Sequence, residues 1–334
     1  MSVYRPPRWL PGGHLQTLYP LLLKGHGPRY RRQRWETPDG DFLDADWTIA
    51  PAQPDAPVVV LFHGLEGSSG SHYARALMRA VAARGWAGVV PHFRGCSGEP
   101  NRLPRAYHSG DADEIDWILA TVKQHVDGRP LFAAGVSLGG NALLRWAGSQ
   151  PDRARQMLDR CAAVCAPLDL MAAGHALGRG FNRVYTRHFL RTLIPAALAK
   201  AHRFPGTINT VRTRTARTLY QFDDAVTAPL HGFAGVEDYW TRASAKPWLG
   251  RIQLPTLVIN ASNDPFLPAH ALPPVADVSP WVTLEYPAAG GHVGFVSGPF
   301  PGNLRWLPER LLGFFDAGLP PRTTPHPAPG FPAP

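Results

Sequence analysis

Apolar and polar positions follow two regimes along this chain. From residue 57 onward, short unbroken apolar runs alternate with stretches whose apolar residues recur at helical spacing. Pro57-Val58-Val59-Val60-Leu61-Phe62 is a continuous β-branched run, the pattern of a strand buried on both faces. His72 to Arg84 then carries Tyr73, Leu77, Met78 and Val81 one helical face apart, and Gly85 ends it. Trp86 to Pro91 predicts another buried strand. Asp111 to Val126 predicts a helix with acids in its first turn, where the helix dipole favours them. Residues 130–136, Cys161 to Ala166, Pro255 to Asn260 and Trp281 to Tyr286 predict further strands, and Asn303 to Phe315 a closing helix. Upstream, Arg32 to Thr37 and Phe42 to Ile49 flank the turn signal Pro38-Asp39-Gly40 and predict a hairpin.

Repeated strand–helix alternation implies a mainly parallel sheet of about eight strands with helices on both faces. One interval breaks the rhythm. Residues 167–250 contain no strand pattern and several helical pieces, such as Val184 to Leu193. A structureless loop of that length is out of place in a compact domain, so this interval reads as an inserted helical cap. The chain thus divides into an N-terminal arm (1–30), a core (31–166 and 251–318), the cap (167–250) and a proline-rich tail (319–334). The tail has seven prolines between Pro320 and Pro334, a composition that favours disorder.

The chemistry concentrates at Gly135-Val136-Ser137-Leu138-Gly139, a G-x-S-x-G pattern. By itself the pattern is weak in a chain with 33 glycines. Its context is stronger: Pro130 to Ala134 is strand-like before it, and Asn141 to Ala147 helix-like after it. A serine on a sharp turn between strand and helix has its hydroxyl exposed, which is the geometry of a nucleophile elbow. A serine hydroxyl needs a base, and the base needs an orienting carboxylate. In such a sheet these stand in loops at the carboxyl ends of strands, in the order serine, acid, histidine. After the last strand, Gly290-Gly291-His292-Val293-Gly294-Phe295 supplies His292. Asn263-Asp264-Pro265-Phe266 follows the strand ending at Asn260 and supplies Asp264 as the preferred acid. Asp169 is the rival, with helix capping as its structural role. Asp223 and Asp224 lie in the cap and are set aside. The oxyanion donors are assigned to the backbone N–H of Leu138 and to that of Leu65 in His63-Gly64-Leu65-Glu66-Gly67.

Five segments together resemble the YheT-like branch of the α/β-hydrolase superfamily, bacterial esterase-type proteins with eukaryotic abhydrolase relatives. They are Gly13-His14-Leu15-Gln16-Thr17, His63 to Gly67, Phe93-Arg94-Gly95-Cys96-Ser97-Gly98-Glu99, Gly135 to Asn141, and Gly290 to Phe295. The resemblance spans about Gly13 to Phe315. It implies an α/β-hydrolase fold and hydrolysis of carboxylic esters, with phospholipid acyl chains the target of some eukaryotic relatives. Within this reading Arg94 and Glu99 shape the pocket or order their loop, or Arg94 satisfies local carbonyls. Gly13 to Thr17 pins the arm to the domain.

Composition adds bounds. The formal net charge is +9, and the excess is local. Residues 1–34 hold seven Lys/Arg and no acid; residues 170–250 hold eleven against four acids. In the cap Arg179, Arg183, Arg187 and Arg191 recur every fourth residue, beside Phe181, Tyr185, Phe189, Leu190 and Leu193. That pattern is a solvated face, or a contact for an anionic membrane surface or phospholipid. No nucleic-acid motif accompanies the charge, so no nucleic-acid partner is expected. Cys96, Cys161 and Cys165 make no disulfide framework, and histidines are scattered, so neither metal nor cofactor is expected. No apolar run reaches the roughly 18 residues of a membrane span and no signal core opens the chain; a cytoplasmic protein is expected. The reading is a serine hydrolase that cleaves carboxylic esters, of acyl or lipid-like type, through an acyl-enzyme intermediate. A serine aminopeptidase with the same triad, or a non-enzymatic basic binding protein, are the alternatives.

Overall fold

A computed structural model describes residues 3–23, 25–49, 55–126, 128–317 and 319. The proline-rich tail therefore lies outside the described residues, except Leu319. Strands β1 (Tyr30–Glu36) and β2 (Phe42–Thr48) form the expected hairpin, with Gly40 at φ +84° in its turn. Strands β3 (Val58–Phe62), β4 (Ala87–Pro91), β5 (Leu131–Val136), β6 (Arg160–Val164), β7 (Thr256–Ile259) and β8 (Val282–Glu285) follow. The described strands make one eight-stranded sheet in the order β1-β2-β4-β3-β5-β6-β7-β8. β1, β2 and β4 pair antiparallel; every pair from β4 to β8 is parallel. The fold is the mainly parallel α/β sheet that the alternation implies.

The continuous apolar runs exist because both faces are covered. Val58, Val60 and Phe62 point to a core with helix α3 (Ala112–Val126) and helix α4 (Leu138–Ser149), through Ile115, Leu119, Leu143 and Trp146. Val59 and Leu61 point the other way, to Met78 and Val81 of α2 (His72–Ala83) and Leu311 and Phe315 of the last helix. Burying one such side chain completely contributes roughly 1.5–3 kcal/mol. α5 (Pro151–Met157) links α4 to β6.

Between β6 and β7 the chain is helical: α6 (Leu170–Leu177), α7 (Arg183–Arg203), α8 (Thr210–Thr215), α9 (Leu219–Phe222), a π turn (Asp223–Thr227), α10 (Ala228–Leu230) and α11 (Val236–Ala243). α7 runs far past the Val184 to Leu193 piece read from the sequence, and it passes through Pro195. Proline removes the bond to the carbonyl four residues back. Here that carbonyl belongs to Arg191; both residues are exposed. A second difference is at the other end of the chain. The arm, read without elements, contains helix α1 (Gly13–Leu18). The closing helix α12 spans Trp306–Asp316.

Candidate active site

Ser137 stands between the last residue of β5 and the first of α4, at φ +52°, ψ −121°. A non-glycine residue in that region stores of order 1–3 kcal/mol of strain. The surroundings hold it there. Its N–H donates to Val164 O of β6 (2.9 Å), and its carbonyl accepts from Asn141 N (3.0 Å). Gly139 is required by close approach: a Cβ there would stand 2.5 Å from the carbonyl oxygens of Phe62 and His63. The side chain of Asn141, fully buried, donates to Ser109 O (2.9 Å) and Ala243 O (2.8 Å) and accepts from Ala245 N (2.9 Å). It thereby ties α4 to the loops beside it.

The structure brings the three predicted side chains together. His292 Nε2 lies 3.0 Å from Ser137 Oγ, and His292 Nδ1 lies 2.9 Å from Asp264 Oδ2. With Nδ1–H donating to the carboxylate, Nε2 is free to accept the serine proton, a tautomer assigned from the hydrogen bonds. Asp264 Oδ1 accepts from Phe266 N (2.8 Å), so both carboxylate oxygens are engaged in a side chain 1% exposed. The Phe266 ring stacks on the imidazole with centroids 3.9 Å apart and fixes its plane. Asp169, the rival acid, caps α6 by accepting from Ala172 N (3.0 Å). Asp224 pairs with Arg212.

In the loop after β3, Gly64 N donates to Tyr73 Oη and Glu66 N to Tyr107 Oη, each at 2.9 Å, and Gly67 N donates to Gly64 O. Among the described residues from Gly64 to Gly67, Leu65 N–H alone has no acceptor, and Leu138 N–H, at the start of α4, has none either. His63 is fully buried; Nε2 accepts from Phe93 N (3.1 Å) and Nδ1 reaches Gly64 O (2.8 Å). Burial pushes its pKa down to about 3, so it remains a neutral fixture of the turn.

Sequence reasoning missed Cys165, Phe266 and Gln16 as neighbours of this site. Cys165 stands at φ +48° just after β6, and its Sγ accepts from Val293 N (3.3 Å). Burial, with Asp264 nearby, pushes its thiol well above the usual range. Cys165, Asp264 and His292 offer S, O and N atoms within 4.8 Å of one another, a set able to hold a metal ion. The thiol, however, stays protonated, and the imidazole and carboxylate are each other's partner. Phe266 carried a local signal, an aromatic residue two positions after the acid; Gln16 lies in the Gly13–Thr17 segment that the resemblance singles out, but nothing local ties it to this site. Arg94 departs from the carbonyl-binding alternative. It donates to Glu114 (2.6 Å), Asp39 (2.9 Å) and Asp41 (3.0 Å), carboxylates that no local pattern connects to it. Glu99 pairs with Arg34 at the surface.

Ser137 and His292 open onto a cavity of about 340 Å³. Leu177, Phe189, Leu193, Phe222 and Leu230 line it, with Lys200 and Asp223 among its few charged groups.

An α/β-hydrolase-fold family model matches residues 57–299, which contain Ser137, Asp264 and His292. The chain belongs to the α/β-hydrolase family. It is 41% identical to YheT of Escherichia coli (strain K12), over 92% of this chain and 91% of that protein. It is 29% identical to phospholipase ABHD3 of Mus musculus, over 95% and 79%. Among solved structures, Est1E of Butyrivibrio proteoclasticus with bound ferulic acid superposes with a TM-score of 0.56 at 15% identity, covering 86% of this chain and 98% of that one; that likeness concerns the fold. No helix among the described residues is long and apolar enough to cross a membrane.

Proposed function

We propose that this α/β hydrolase cleaves carboxylic esters through an acyl-enzyme on Ser137. The observation that carries the reading is the unbroken chain Ser137 Oγ–His292–Asp264, at 3.0 and 2.9 Å. Ser137 Oγ attacks the ester carbonyl carbon while its proton passes to His292 Nε2. Leu65 and Leu138 N–H groups receive the oxyanion. The tetrahedral intermediate collapses, the C–O bond breaks, and His292 gives its proton to the leaving alcohol. Water then loses a proton to His292, attacks the acyl carbon and releases the acid and free Ser137. Asp264 keeps the imidazole in the productive tautomer and stabilises its cation.

The helices between β6 and β7 act in this reading as a cap over the substrate. The apolar cavity lining favours an acyl or lipid-like group, in keeping with relatives named phospholipase and monoacylglycerol lipase. Ser137→Ala is expected to lower turnover of p-nitrophenyl acyl esters by about 10⁴-fold or more, with an unchanged melting temperature, and to abolish labelling by a fluorophosphonate. Undiminished turnover by that variant overturns the reading.

A contact with anionic lipid surface belongs to the same proposal. Arg179, Arg183, Arg187 and Arg191 are exposed, and Phe181 and Val184 stand more than half exposed beside them. Vesicles containing phosphatidylglycerol are expected to co-sediment the protein at low salt and release it at high salt. Failure to bind at low salt sinks this part and leaves the esterase reading standing.

A further inference from the structure

We infer that Gln16 and Thr17, in the N-terminal arm, are positioning residues of the active site: they hold the acid loop and the histidine loop in register. The inference rests on the proposed roles of Asp264 and His292. Gln16 is 2% exposed. Its Oε1 accepts from Asn263 Nδ2 (3.0 Å) and from Gly290 N (2.8 Å), while its Nε2 donates to Leu10 O (2.9 Å). Asn263 precedes Asp264 in the chain, and Gly290 is two residues before His292. One side-chain oxygen thus joins the loops that leave β7 and β8. Asn263 Oδ1 closes the circuit by accepting from Gly291 N (3.0 Å). Thr17 Oγ1 accepts from the backbone N–H of His292 itself (2.8 Å) and donates to Gly13 O (2.7 Å).

The amide can sit only one way round. Oε1 faces two donors and Nε2 faces a carbonyl; a flip would oppose like to like. Nor is there slack for the loops to shift. A Cβ at Gly13 would stand 2.0 Å from Asn263 O, and one at Gly294 would stand 2.0 Å from Gln16 O. Three backbone segments are therefore in direct contact around a buried amide whose oxygen and nitrogen are both hydrogen-bonded. Removing one partner leaves the others buried and unpaired. The same arm touches the cap: His14 Nδ1 is 3.1 Å from Tyr185 Oη, and its ring packs on Phe181 at 4.6 Å.

The alternative role for these bonds is to dock the arm and nothing more. Kinetics separate the two. In the full-length chain, Gln16→Met keeps the volume and deletes the polar contacts; Thr17→Val keeps the shape and deletes the hydroxyl. A displaced histidine loop is expected to lower kcat about 10²-fold in Gln16→Met and about 10-fold in Thr17→Val, with KM within about threefold. Thr17→Ser is expected to restore the wild-type kcat. Lower melting temperature with wild-type kcat in both variants overturns the inference, and Thr17→Val keeps it testable if Gln16→Met does not fold. Slow but detectable fluorophosphonate labelling of Ser137 in the variants supports the inference. Absence of labelling in the unmodified protein instead strikes the proposed nucleophile.

Discussion

The carboxyl edge of the sheet and the helical segment facing it across the cavity are held by different means. At the edge, each group of the proposed triad is fixed by short bonds to buried backbone or to a buried hydroxyl. Ser137 is held through Val164 O, Asp264 through Phe266 N, and His292 through Thr17 Oγ1. Across the cavity, α7 and its neighbours form small apolar clusters of their own, around Leu190 and Phe222, and around Trp240. Their link to the edge includes polar groups. Lys200 Nζ donates to Asn101 Oδ1 (2.8 Å) and Arg105 O (2.7 Å), and Arg203 to Asn101 O and Arg102 O (2.9 Å each). Burial pushes the Lys200 pKa down to about 8, against the opposing pull of the Asp41 carboxylate. A site that must stabilise a short-lived charge needs fixed dipoles; a surface that receives variable acyl groups does not. In the proposed reading, the chemistry belongs to the edge and the choice of substrate to the facing helices.

Tyr107→Phe attacks the fixed side. Tyr107 Oη accepts from Glu66 N (2.9 Å) and donates to Glu66 Oε1 (2.8 Å), and its ring stacks on Phe93 at 5.5 Å. These bonds hold Glu66 at φ +55°, a conformation a non-glycine residue avoids unless held. Once released, the turn no longer aims Leu65 N–H at the proposed oxyanion position. Full loss of such a donor costs roughly 3–4 kcal/mol; a misaimed donor is expected to lower kcat about 10-fold, with KM near its original value. Steady-state kinetics on a short acyl ester check it. An unchanged kcat shows that the turn keeps its shape without the hydroxyl, and that the edge is less dependent on these bonds than the comparison holds.

The same contrast explains what the sequence made legible. Val58 to Phe62 reads as a strand because burial on both faces demands an unbroken apolar run, and Ser137, Asp264 and His292 read as a set because a parallel sheet constrains the order of its edge loops. These signals are local or topological. α1 escaped because Gly13 to Thr17 has no apolar stripe; its meaning comes from Asn263 and Gly290, some 250 residues away. Arg94 was similarly opaque: Asp39, Asp41 and Glu114 meet it only after folding. In α7, Pro195 looks like a stop and is tolerated because its side of the helix faces water.

Asp223→Asn probes the facing side, where the smallest effect is expected. Asp223 lies in the π turn on the cavity wall. Burial pushes its carboxyl up to about 6, against hydrogen bonds from Thr227 Oγ1 (2.6 Å) and Trp240 Nε1 (2.8 Å) that favour the charged form. Its folded pKa thus exceeds that of an unfolded aspartate, about 3.9. The folded chain holds this proton more tightly, so the stability it contributes is fully present below about pH 4 and is lost as pH rises through about 6. Asparagine has no proton to lose and keeps the same shape. Asp223→Asn is therefore expected to match the parent below pH 4 and to be more stable at pH 8, by about 1 kcal/mol after discounting for cavity water. Denaturant unfolding at the two pH values measures the difference. Equal stability at pH 8 means that solvent or a mobile partner already compensates the charge. A change in kcat on short esters comparable to that of Tyr107→Phe would erase the division between the two sides, because a residue of the facing helices would then be acting on the reacting atoms.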